Sequence, residues 1–277
     1  MQTVRAATEL DTRGRRVCIA IGFFDGVHLG HQQIIRTTLA DATGHGGMSV
    51  VATFDRHPKA IIAPDRVPSL IYSLPQKMRA IAELGAEATL LLAFNAPLSQ
   101  QTGEEFLRGL ARDLGRLQSV CVGSDFHFGR QRSGNVALLR QLGQELQFGV
   151  HGLAAVSLED QPVRSTRIRE AIAAGQLEAA SQMLGRAYAL AGPVVRGDQL
   201  GRQLGFPTAN LDTAGLAVPP HGVYAVRAHV AGRTHRAVLN IGIRPTLARP
   251  KPQLRVEAHL LDFQGDLYGQ ELEVTFV

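Results

Sequence analysis

The sequence has few cysteines and no long apolar run, and both shortages restrict the class of protein. Its 277 residues include only two cysteines, Cys18 and Cys121, each inside a short apolar segment. We therefore expect two buried free thiols rather than a disulfide, and no CxxC or HExxH spacing suggests zinc. No apolar run approaches the roughly 18–20 residues that cross a bilayer, and the opening MQTVRAATEL is unlike a signal peptide. The prediction is a cytoplasmic protein without a membrane partner.

Aromatic residues are also scarce, at 5% of the chain, and this weighs against nucleic-acid binding. The formal net charge of +5 would suit a polyanion. However, the basic residues are scattered singly apart from Arg15-Arg16, and few aromatic side chains lie among them to stack on bases. We expect no nucleic-acid partner, and a mildly basic surface that serves anionic small molecules.

The first half of the chain alternates continuous apolar segments with amphipathic segments of helical period. Apolar runs without polar alternation are typical of strands buried on both faces, as in parallel sheets. The strand candidates are residues 17–23, 48–54, 88–94, 118–123 and 150–156. The pattern predicts an α/β domain with a Rossmann-like, doubly wound parallel sheet, whose ligands bind at the carboxyl ends of the strands.

After Gly185 the pattern changes to short segments separated by glycine- and proline-rich turns. Such segments are typical of antiparallel strands in a small β-barrel or sandwich. We therefore predict two domains. The first spans residues 1–186, with a small helical subdomain at about 157–186, and the second spans residues 187–277.

The segment GFFDGVHLGHQ (22–32) joins the first long strand to the first long helix, where an open α/β sheet binds ligand. Gly22 and Gly26 permit close backbone approach, and free N–H groups at a helix start attract anions. His28 and His31 are three residues apart, so their rings can lie on one side of the helix. The favoured interpretation is a phosphate clamp that stabilises charge at phosphorus. An ordinary turn and a two-histidine metal site are the alternatives.

This HxGH pattern resembles the signature of the nucleotidyltransferase superfamily, and the longer segment resembles the branch that adenylylates FMN. Two more segments fit that branch: TFDRHP (53–58), which has Arg56 where the family has proline, and GSDFHFGRQRSGN (123–135). VRSTRIRE (163–170) resembles the family's ISSTRIR, with Arg164 in place of the first serine. Taken alone, TFDRHP is a capped loop, and Ser165 and Thr166 of VRSTRIRE are N-cap residues before a helix.

The resemblance implies which residues bind each substrate. Asp125 would contact nucleotide hydroxyls, Phe128 would lie against the flavin ring, and Arg167 would contact the triphosphate. The implied ATP-binding set is Gly22, Phe23, Asp25, Gly26, His28, His31, Asp125, Ser165, Thr166 and Arg167. The implied flavin-binding set is Phe54, His57, Pro58 and Phe128. The two catalytic residues would be His28 and His31.

A second motif, GRQLGFPTANL (201–211), resembles the flavokinase signature. The Thr208 hydroxyl and the Asn210 side-chain oxygen are hard ligands that suit Mg²⁺, and Pro207 fixes the turn before them. Taken alone, PTAN is simply a turn. The ATP-binding residues that the resemblance implies here are Gly201, Phe206, Pro207 and Thr208. The sequence contains no P-loop motif, so this kinase site is of another kind.

A kinase also needs a general base, and LRVEAHLL (254–261) contains a candidate. Its apolar residues alternate with Arg255, Glu257 and His259, which would share the opposite face of a strand. The plain interpretation is a barrel strand with a solvated outer face. In flavokinases, however, a glutamate in a similar strand takes the proton from the ribityl hydroxyl, and Glu257 matches it.

The chain is identified as a member of the bifunctional riboflavin kinase/FMN adenylyltransferase family. Membership implies two Mg²⁺-dependent reactions of FAD biosynthesis: riboflavin and ATP give FMN and ADP, then FMN and ATP give FAD and pyrophosphate. We expect small-molecule partners, and a monomer or weak homo-oligomer. Members continue past a strand resembling LEVTFV into a helical segment that helps close the flavin-kinase site, so the expectation is either a truncated sequence or an incomplete kinase half. The rival hypotheses are a nucleotidyltransferase with another acceptor, a flavin carrier without activity and a nucleic-acid-binding protein.

Overall fold

The computed structural model describes residues 1–197, 206–244 and 253–277. The chain divides into two compact units. The first comprises Met1–Pro68 and Leu74–Arg164, and the second comprises Ser69–Ser73 and Ser165–Val277. The helical segment after Arg164 thus groups with the C-terminal half. The functional boundary at 186–187 stays a prediction.

The first unit is built on a parallel six-stranded sheet, as the continuous apolar segments predict. The strands are β1 (Gln2–Val4), β2 (Val17–Ile21), β3 (Met48–Phe54), β4 (Ala88–Leu92), β5 (Leu117–Gly123) and β6 (Gly149–Leu153). Their order is β1-β4-β3-β2-β5-β6, and every neighbouring pair is parallel. All five residues of β2 are buried, which is why this strand shows no polar alternation.

Helices connect these strands. They are α1 (Leu29–Gly44), α2 (Lys59–Ile62), α3 (Leu74–Glu83), α4 (Ala96–Gln100), α5 (Gly103–Leu114) and α6 (Val136–Leu146). A capping box starts α5, because the Thr102 hydroxyl accepts the Glu105 N–H at 3.2 Å and the Glu105 carboxylate accepts the Thr102 N–H at 2.7 Å. Gly115, with φ +72°, ends the same helix. A short hairpin, β7 (Ser157–Leu158) and β8 (Gln161–Pro162), completes the unit.

Several strands of the sheet differ from the sequence prediction. Strand β4 ends at Leu92 rather than at residue 94, and β6 spans Gly149–Leu153 rather than residues 150–156. Strand β1 is an additional edge strand, paired with β4, and only Val4 of its three residues is buried. A strand this short, with one buried side chain, leaves almost no periodic signal. Strand β2 ends at Ile21 rather than at residue 23, because the chain turns sharply at Phe24.

Both cysteines lie in the sheet as buried free thiols, as predicted. Cys18 and Cys121 are fully buried on neighbouring strands β2 and β5. Burial raises the pKa of each thiol to about 11, so both are protonated at neutral pH.

The second unit contains α7 (Ser165–Ala173), α8 (Leu177–Leu184) and a closed antiparallel barrel. The barrel strands are β9 (Ala189–Val195), β10 (Ala209–Leu211), β11 (Gly222–Val230), β12 (Arg233–Arg244), β13 (Gln253–Leu260) and β14 (Glu271–Phe276). They pair in the order β10-β13-β12-β11-β14-β9, and the β9–β10 pairing closes the ring. The predicted β-rich half is therefore a barrel and not a sandwich.

Apolar and polar side chains alternate along the barrel strands, and the apolar ones fill the barrel interior. On β13, Val256, Ala258 and Leu260 are buried in the barrel core, and Glu257 lies on the outer face. In the described ranges, no helix is long and apolar enough to cross a membrane.

The core of the first unit provides a stability test. Leu107 on α5 is fully buried in this core, whereas Leu146 at the end of α6 is 36% exposed. We expect Leu107→Ala to lower the free energy of unfolding by about 2–5 kcal/mol, and Leu146→Ala to lower it much less. Urea unfolding followed by circular dichroism measures both. Equal losses would contradict the packing described here.

Candidate active sites

The turn between β2 and α1 has an unusual backbone. Phe24, Gly26 and Val27 have φ values of +54°, +74° and +42°. Glycine adopts such values freely, but the left-handed region is unfavourable for phenylalanine and especially for a β-branched valine. The buried Phe24 and Val27 side chains hold this conformation. Strain of this kind is concentrated at functional sites.

Gly22, the first residue of the turn, must be glycine because the Phe24 ring lies close to its Cα. A Cβ at this position would lie 2.8 Å from the Phe24 ring. The Gly22 N–H donates to the Ala52 carbonyl of β3 at 3.1 Å, so the turn starts from a fixed point on the sheet. The two glycines singled out in the sequence, Gly22 and Gly26, therefore both have a backbone reason to be glycine.

The two histidines stack on each other at the start of α1. Their ring centroids are 3.5 Å apart and their planes differ by 20°. His28 precedes the helix, and its Nδ1 accepts the His31 N–H at 3.4 Å. The Phe24 ring meets the His31 ring edge-on at 5.2 Å. The Nδ1 atom of His31 is buried and has no hydrogen-bond partner among the described residues.

His31 is neutral at physiological pH. Burial, followed by the nearby charges of His28 and Lys77, holds the pKa of His31 well below its ordinary value of 6.5. A neutral imidazole carries one N–H donor and one acceptor nitrogen. With an unpartnered nitrogen, this ring can hydrogen-bond to a phosphate without adding a full positive charge.

Lys77 belongs to the same site and was missed in the sequence. It lies on α3, is only 4% exposed, and its ammonium group sits 4.4 Å from the centre of the Phe23 ring. Its Nζ donates to the Phe23 carbonyl at 3.2 Å, the Thr53 hydroxyl at 3.2 Å and the Phe54 carbonyl at 2.8 Å. Its position could have been found from helical spacing: Lys77 is three and four residues before Ala80 and Ile81, so it shares their buried face of α3.

The TFDRHP loop, at the end of β3, lies beside the turn between β2 and α1. We call this turn, residues 22–31, the histidine turn. Phe23 and His57, predicted to bind ATP and flavin respectively, are in edge-on ring contact at 4.8 Å. Asp55 accepts the Phe94 N–H at 2.9 Å and pairs with Arg56 at 3.1 Å. Burial raises the pKa of Asp55, but these partners more than offset it and leave the pKa below its ordinary value. Arg56, where the family has proline, thus stabilises a charged carboxylate.

Pro58 closes the TFDRHP loop immediately before α2. The Phe54 ring is edge-on to Phe94 at 5.5 Å, and His57 Nδ1 accepts the Lys59 N–H at 3.1 Å. The structure therefore brings the predicted flavin residues Phe54, His57 and Pro58 together with the histidine turn.

The loop after β5 carries two further predicted residues. The Asp125 side chain is 74% exposed and lies 3.7 Å from the Arg164 guanidinium. Phe128 is half-buried, stacks on Phe126 at 5.2 Å and packs against the core of the first unit. Asp125 is thus accessible to a ligand, and the flavin contact of Phe128 stays a prediction.

The predicted triphosphate residues begin α7 in the second unit. Ser165 is the first residue of this helix, and Thr166 and Arg167 follow it. Arg164 therefore occupies the position before the first helical residue. Their phosphate-binding role stays a prediction.

In the barrel, the predicted metal ligand and the predicted base are cross-strand neighbours. Asn210 on β10 is directly opposite Glu257 on β13, and Glu257 is directly opposite Asn240 on β12. A carboxylate between two amides thus forms a polar row on the outer face of the barrel. A Cβ on Gly197 would overlap the Asn210 amide, so glycine is needed there. The PTAN segment is part turn and part strand, because β10 begins at Ala209.

A cavity of about 580 Å³ lies beside β10 and β13, where Ala209, Ala258 and Leu260 form part of its lining. Thr208 and Pro207 line it together with residues 263–268. The His259 Nδ1–H donates to the Pro207 carbonyl at 2.8 Å. The His259 ring also meets the exposed Phe206 ring edge-on. Gly201 lies outside the described residues.

The donor chemistry of the barrel site fits Mg²⁺. Thr208 and Asn210 provide neutral oxygens, and Mg²⁺ keeps several positions for water and nucleotide phosphates. In the described part of the chain, no group of three or more His, Cys, Asp or Glu side chains is arranged to hold a metal ion. The two-histidine metal alternative for the turn therefore has no third ligand of those types there.

Comparison with known proteins shows the family. The FAD synthetase family model matches residues 11–167, and the riboflavin kinase family model matches residues 184–277. The chain belongs to the bifunctional riboflavin kinase/FMN adenylyltransferase family. A member from Pseudomonas fluorescens is 38% identical over 276 residues, covering 100% of this chain and 88% of the relative. One from Escherichia coli K12 is 34% identical, covering 99% and 88%.

A solved structure supports the architecture of both halves. It is described as a macrolide-efflux protein from Streptococcus pneumoniae, is 28% identical, and covers 99% of this chain and 88% of its own. The TM-score is 0.81. The α/β sheet followed by a β-barrel is thus the architecture of a related protein as well.

The neutral state of His31 in the adenylyltransferase half is directly testable. We expect its ring resonances in NMR spectra to stay unchanged between about pH 7.5 and pH 6, where an ordinary histidine protonates. Comparison with His31→Gln assigns the signals. Titration of His31 near pH 6.5 would contradict the burial of this ring.

Proposed function

We propose that this chain makes FAD in two steps, with the barrel phosphorylating riboflavin and the parallel-sheet unit adenylylating the resulting FMN. The observation that carries the proposal is that each structural unit contains one polar site of the matching kind. The stacked histidines lie in the unit matched by the FAD synthetase model, and the Asn210–Glu257 pair lies in the unit matched by the riboflavin kinase model.

In the adenylylation step, a phosphate oxygen of FMN attacks the α-phosphorus of ATP and pyrophosphate leaves. His28 and His31 would donate hydrogen bonds to the oxygens on which negative charge increases. The N-terminal end of α1 adds partly positive N–H groups beside them. Phosphate is already a nucleophile, so the step needs neither a side-chain nucleophile nor a covalent intermediate.

The remaining adenylyltransferase roles follow the family resemblance. Gly22, Phe23, Asp25 and Gly26 would surround the ATP phosphates as parts of the turn. Asp125 would contact nucleotide hydroxyls, while Ser165, Thr166 and Arg167 would contact the triphosphate. The flavin would be held by Phe54, His57, Pro58 and Phe128.

In the kinase step, the riboflavin 5′-hydroxyl attacks the γ-phosphorus of ATP and ADP leaves. Glu257 would accept the hydroxyl proton, because it is an ionisable carboxylate on the accessible outer face of β13. Asn210 and Asn240 flank it and can orient the carboxylate by hydrogen bonding. Thr208 and Asn210 would hold Mg²⁺, which supplies positive charge to the ATP phosphates when bound.

The same proposal covers setting and partners. We expect a cytoplasmic enzyme that acts as a monomer or weak homo-oligomer on ATP, riboflavin and FMN. Singly scattered basic residues and the small aromatic fraction support small anionic ligands rather than nucleic acid.

The deciding experiment supplies the purified chain with Mg²⁺ and ATP, plus riboflavin in one tube and FMN in the other. Chromatography separates the flavins, and ADP and pyrophosphate are followed alongside. FAD from both tubes supports both halves of the proposal. FAD from FMN alone would overturn the kinase assignment for this chain. Flavin binding with no product in either tube would favour the carrier hypothesis.

His31→Ala should reduce FAD formation from FMN by about 100- to 1,000-fold, because it removes a donor aimed at the transition state. FMN formation from riboflavin should change little, since Glu257 and Asn210 lie in the other unit. His45→Ala, at the other end of α1, is the matched control and should retain FAD formation. A variant that loses both activities would indicate misfolding or a wrong assignment of the histidine.

Glu257→Gln should do the reverse and reduce riboflavin phosphorylation by about 100-fold or more, because glutamine cannot accept the proton. FAD formation from supplied FMN should persist. Glu178→Gln, at an exposed position on α8, is the control carboxylate. Unchanged phosphorylation in Glu257→Gln would refute the assignment of the base.

A further inference from the structure

Lys77 forms the connection between two active-site loops that come from neighbouring strands. Phe23 is the second residue of the turn after β2, and Thr53 and Phe54 end β3. The ammonium group of Lys77 reaches all three residues and uses each of its three N–H donors once. The Thr53 hydroxyl also donates to the Phe23 carbonyl at 2.9 Å. The ends of β2 and β3 are thus tied together by one buried cation.

The two tied segments have different predicted ligands. The histidine turn continues from Phe23 to His28 and His31, on the nucleotide side. The TFDRHP loop continues from Phe54 to His57, on the flavin side. Under the proposed function, the spacing between these segments would set how closely the FMN phosphate approaches the α-phosphorus of ATP.

We propose that Lys77 is a positioning residue for FMN adenylylation, which holds the histidine turn and the TFDRHP loop at the spacing needed for attack on the α-phosphorus. This inference rests on the proposed function. Lys77 acts through the Phe23 and Phe54 carbonyls and the Thr53 hydroxyl, and not by contact with the reacting atoms.

The charges around Lys77 favour a cation at this position. Asp25 in the turn and Asp55 in the loop both stabilise its positive charge. His31 on α1 is neutral, and Arg56 is paired with Asp55. Two carboxylates and three hydrogen-bond acceptors around one buried side chain stabilise the ammonium form of Lys77. A neutral amine has only two N–H donors, so it would leave one of the three acceptors facing a lone pair.

The pH behaviour follows from burial. Burial, partly offset by Asp25 and Asp55, lowers the pKa of Lys77 from 10.5 to about 8. As pH rises through about 8, the folded protein therefore loses this proton before the unfolded chain does. Between about 8 and 10.5 the unfolded chain binds more protons, so the contribution of Lys77 to folding stability increases with pH. The positioning role requires the charged form, so FAD formation should decrease over the same range.

The first test compares Lys77→Met with Ile81→Ala. Ile81 is fully buried one turn later on α3, so its truncation destabilises the same helix without removing the connection. The assay is run at a temperature below the melting temperature of each variant. Lys77→Met should then lower kcat/KM for FAD formation about 100-fold, as expected when the reactants are misplaced. Ile81→Ala should stay within about threefold of wild type despite a lower melting temperature. Equal activity losses in the two variants would overturn the proposal.

The second test uses the wild-type protein and does not depend on whether Lys77→Met folds. The rate of FAD formation and the melting temperature are measured together from about pH 7 to pH 9.5, which lies above the second phosphate pKa of about 6. The rate should fall above about pH 8 without a parallel fall in melting temperature. A flat rate, or a rate that falls only as the protein melts, would overturn the proposal. Failure of wild type to form any FAD would instead reject the proposed function itself.

Discussion

The site in the first unit depends on one constraint: all six strands of its sheet run in the same direction. Their carboxyl ends therefore share one edge, and loops that are far apart in sequence emerge side by side. The histidine turn follows β2, the TFDRHP loop follows β3, and the Asp125 loop follows β5. Because β3, β2 and β5 are consecutive in the sheet, these loops start from strands only about 5 Å apart.

The strand order also explains why the histidine turn occupies the centre. From β2 the chain builds outward through β3 to β4, then crosses back to add β5 on the other side. Connections leaving β2 and β5 diverge, and ligands of open α/β sheets bind in the crevice that results. The strained backbone at Phe24 and Val27 is located at this point. Packing of their buried side chains offsets the free-energy cost of their positive φ angles, so the strained turn is maintained in the folded protein.

Sequence reasoning predicted the parallel sheet, the β-rich C-terminal half and the loops that carry the motifs, because apolar period and glycine placement are local properties. It missed β1 and the strand character of Ala209–Leu211, since three residues give too short a pattern. It also missed Lys77. Spacing showed only a lysine on an amphipathic helix, whereas its proposed role depends on the carbonyls of Phe23, in the turn after β2, and of Phe54, at the end of β3. Tertiary hydrogen bonds of this kind have no local signature.

Under the proposed roles, the two halves would stabilise phosphate chemistry by different physical means. In the parallel-sheet unit, the proposed charge-stabilising groups are two stacked imidazoles at the start of α1, of which His31 is uncharged. In the barrel, antiparallel register places Glu257 between Asn210 and Asn240, so the proposed base is flanked by amides that bear no charge. A phosphate nucleophile needs no base, but an alcohol does. The placement of a carboxylate in the barrel and of stacked imidazoles in the sheet unit follows that chemical difference.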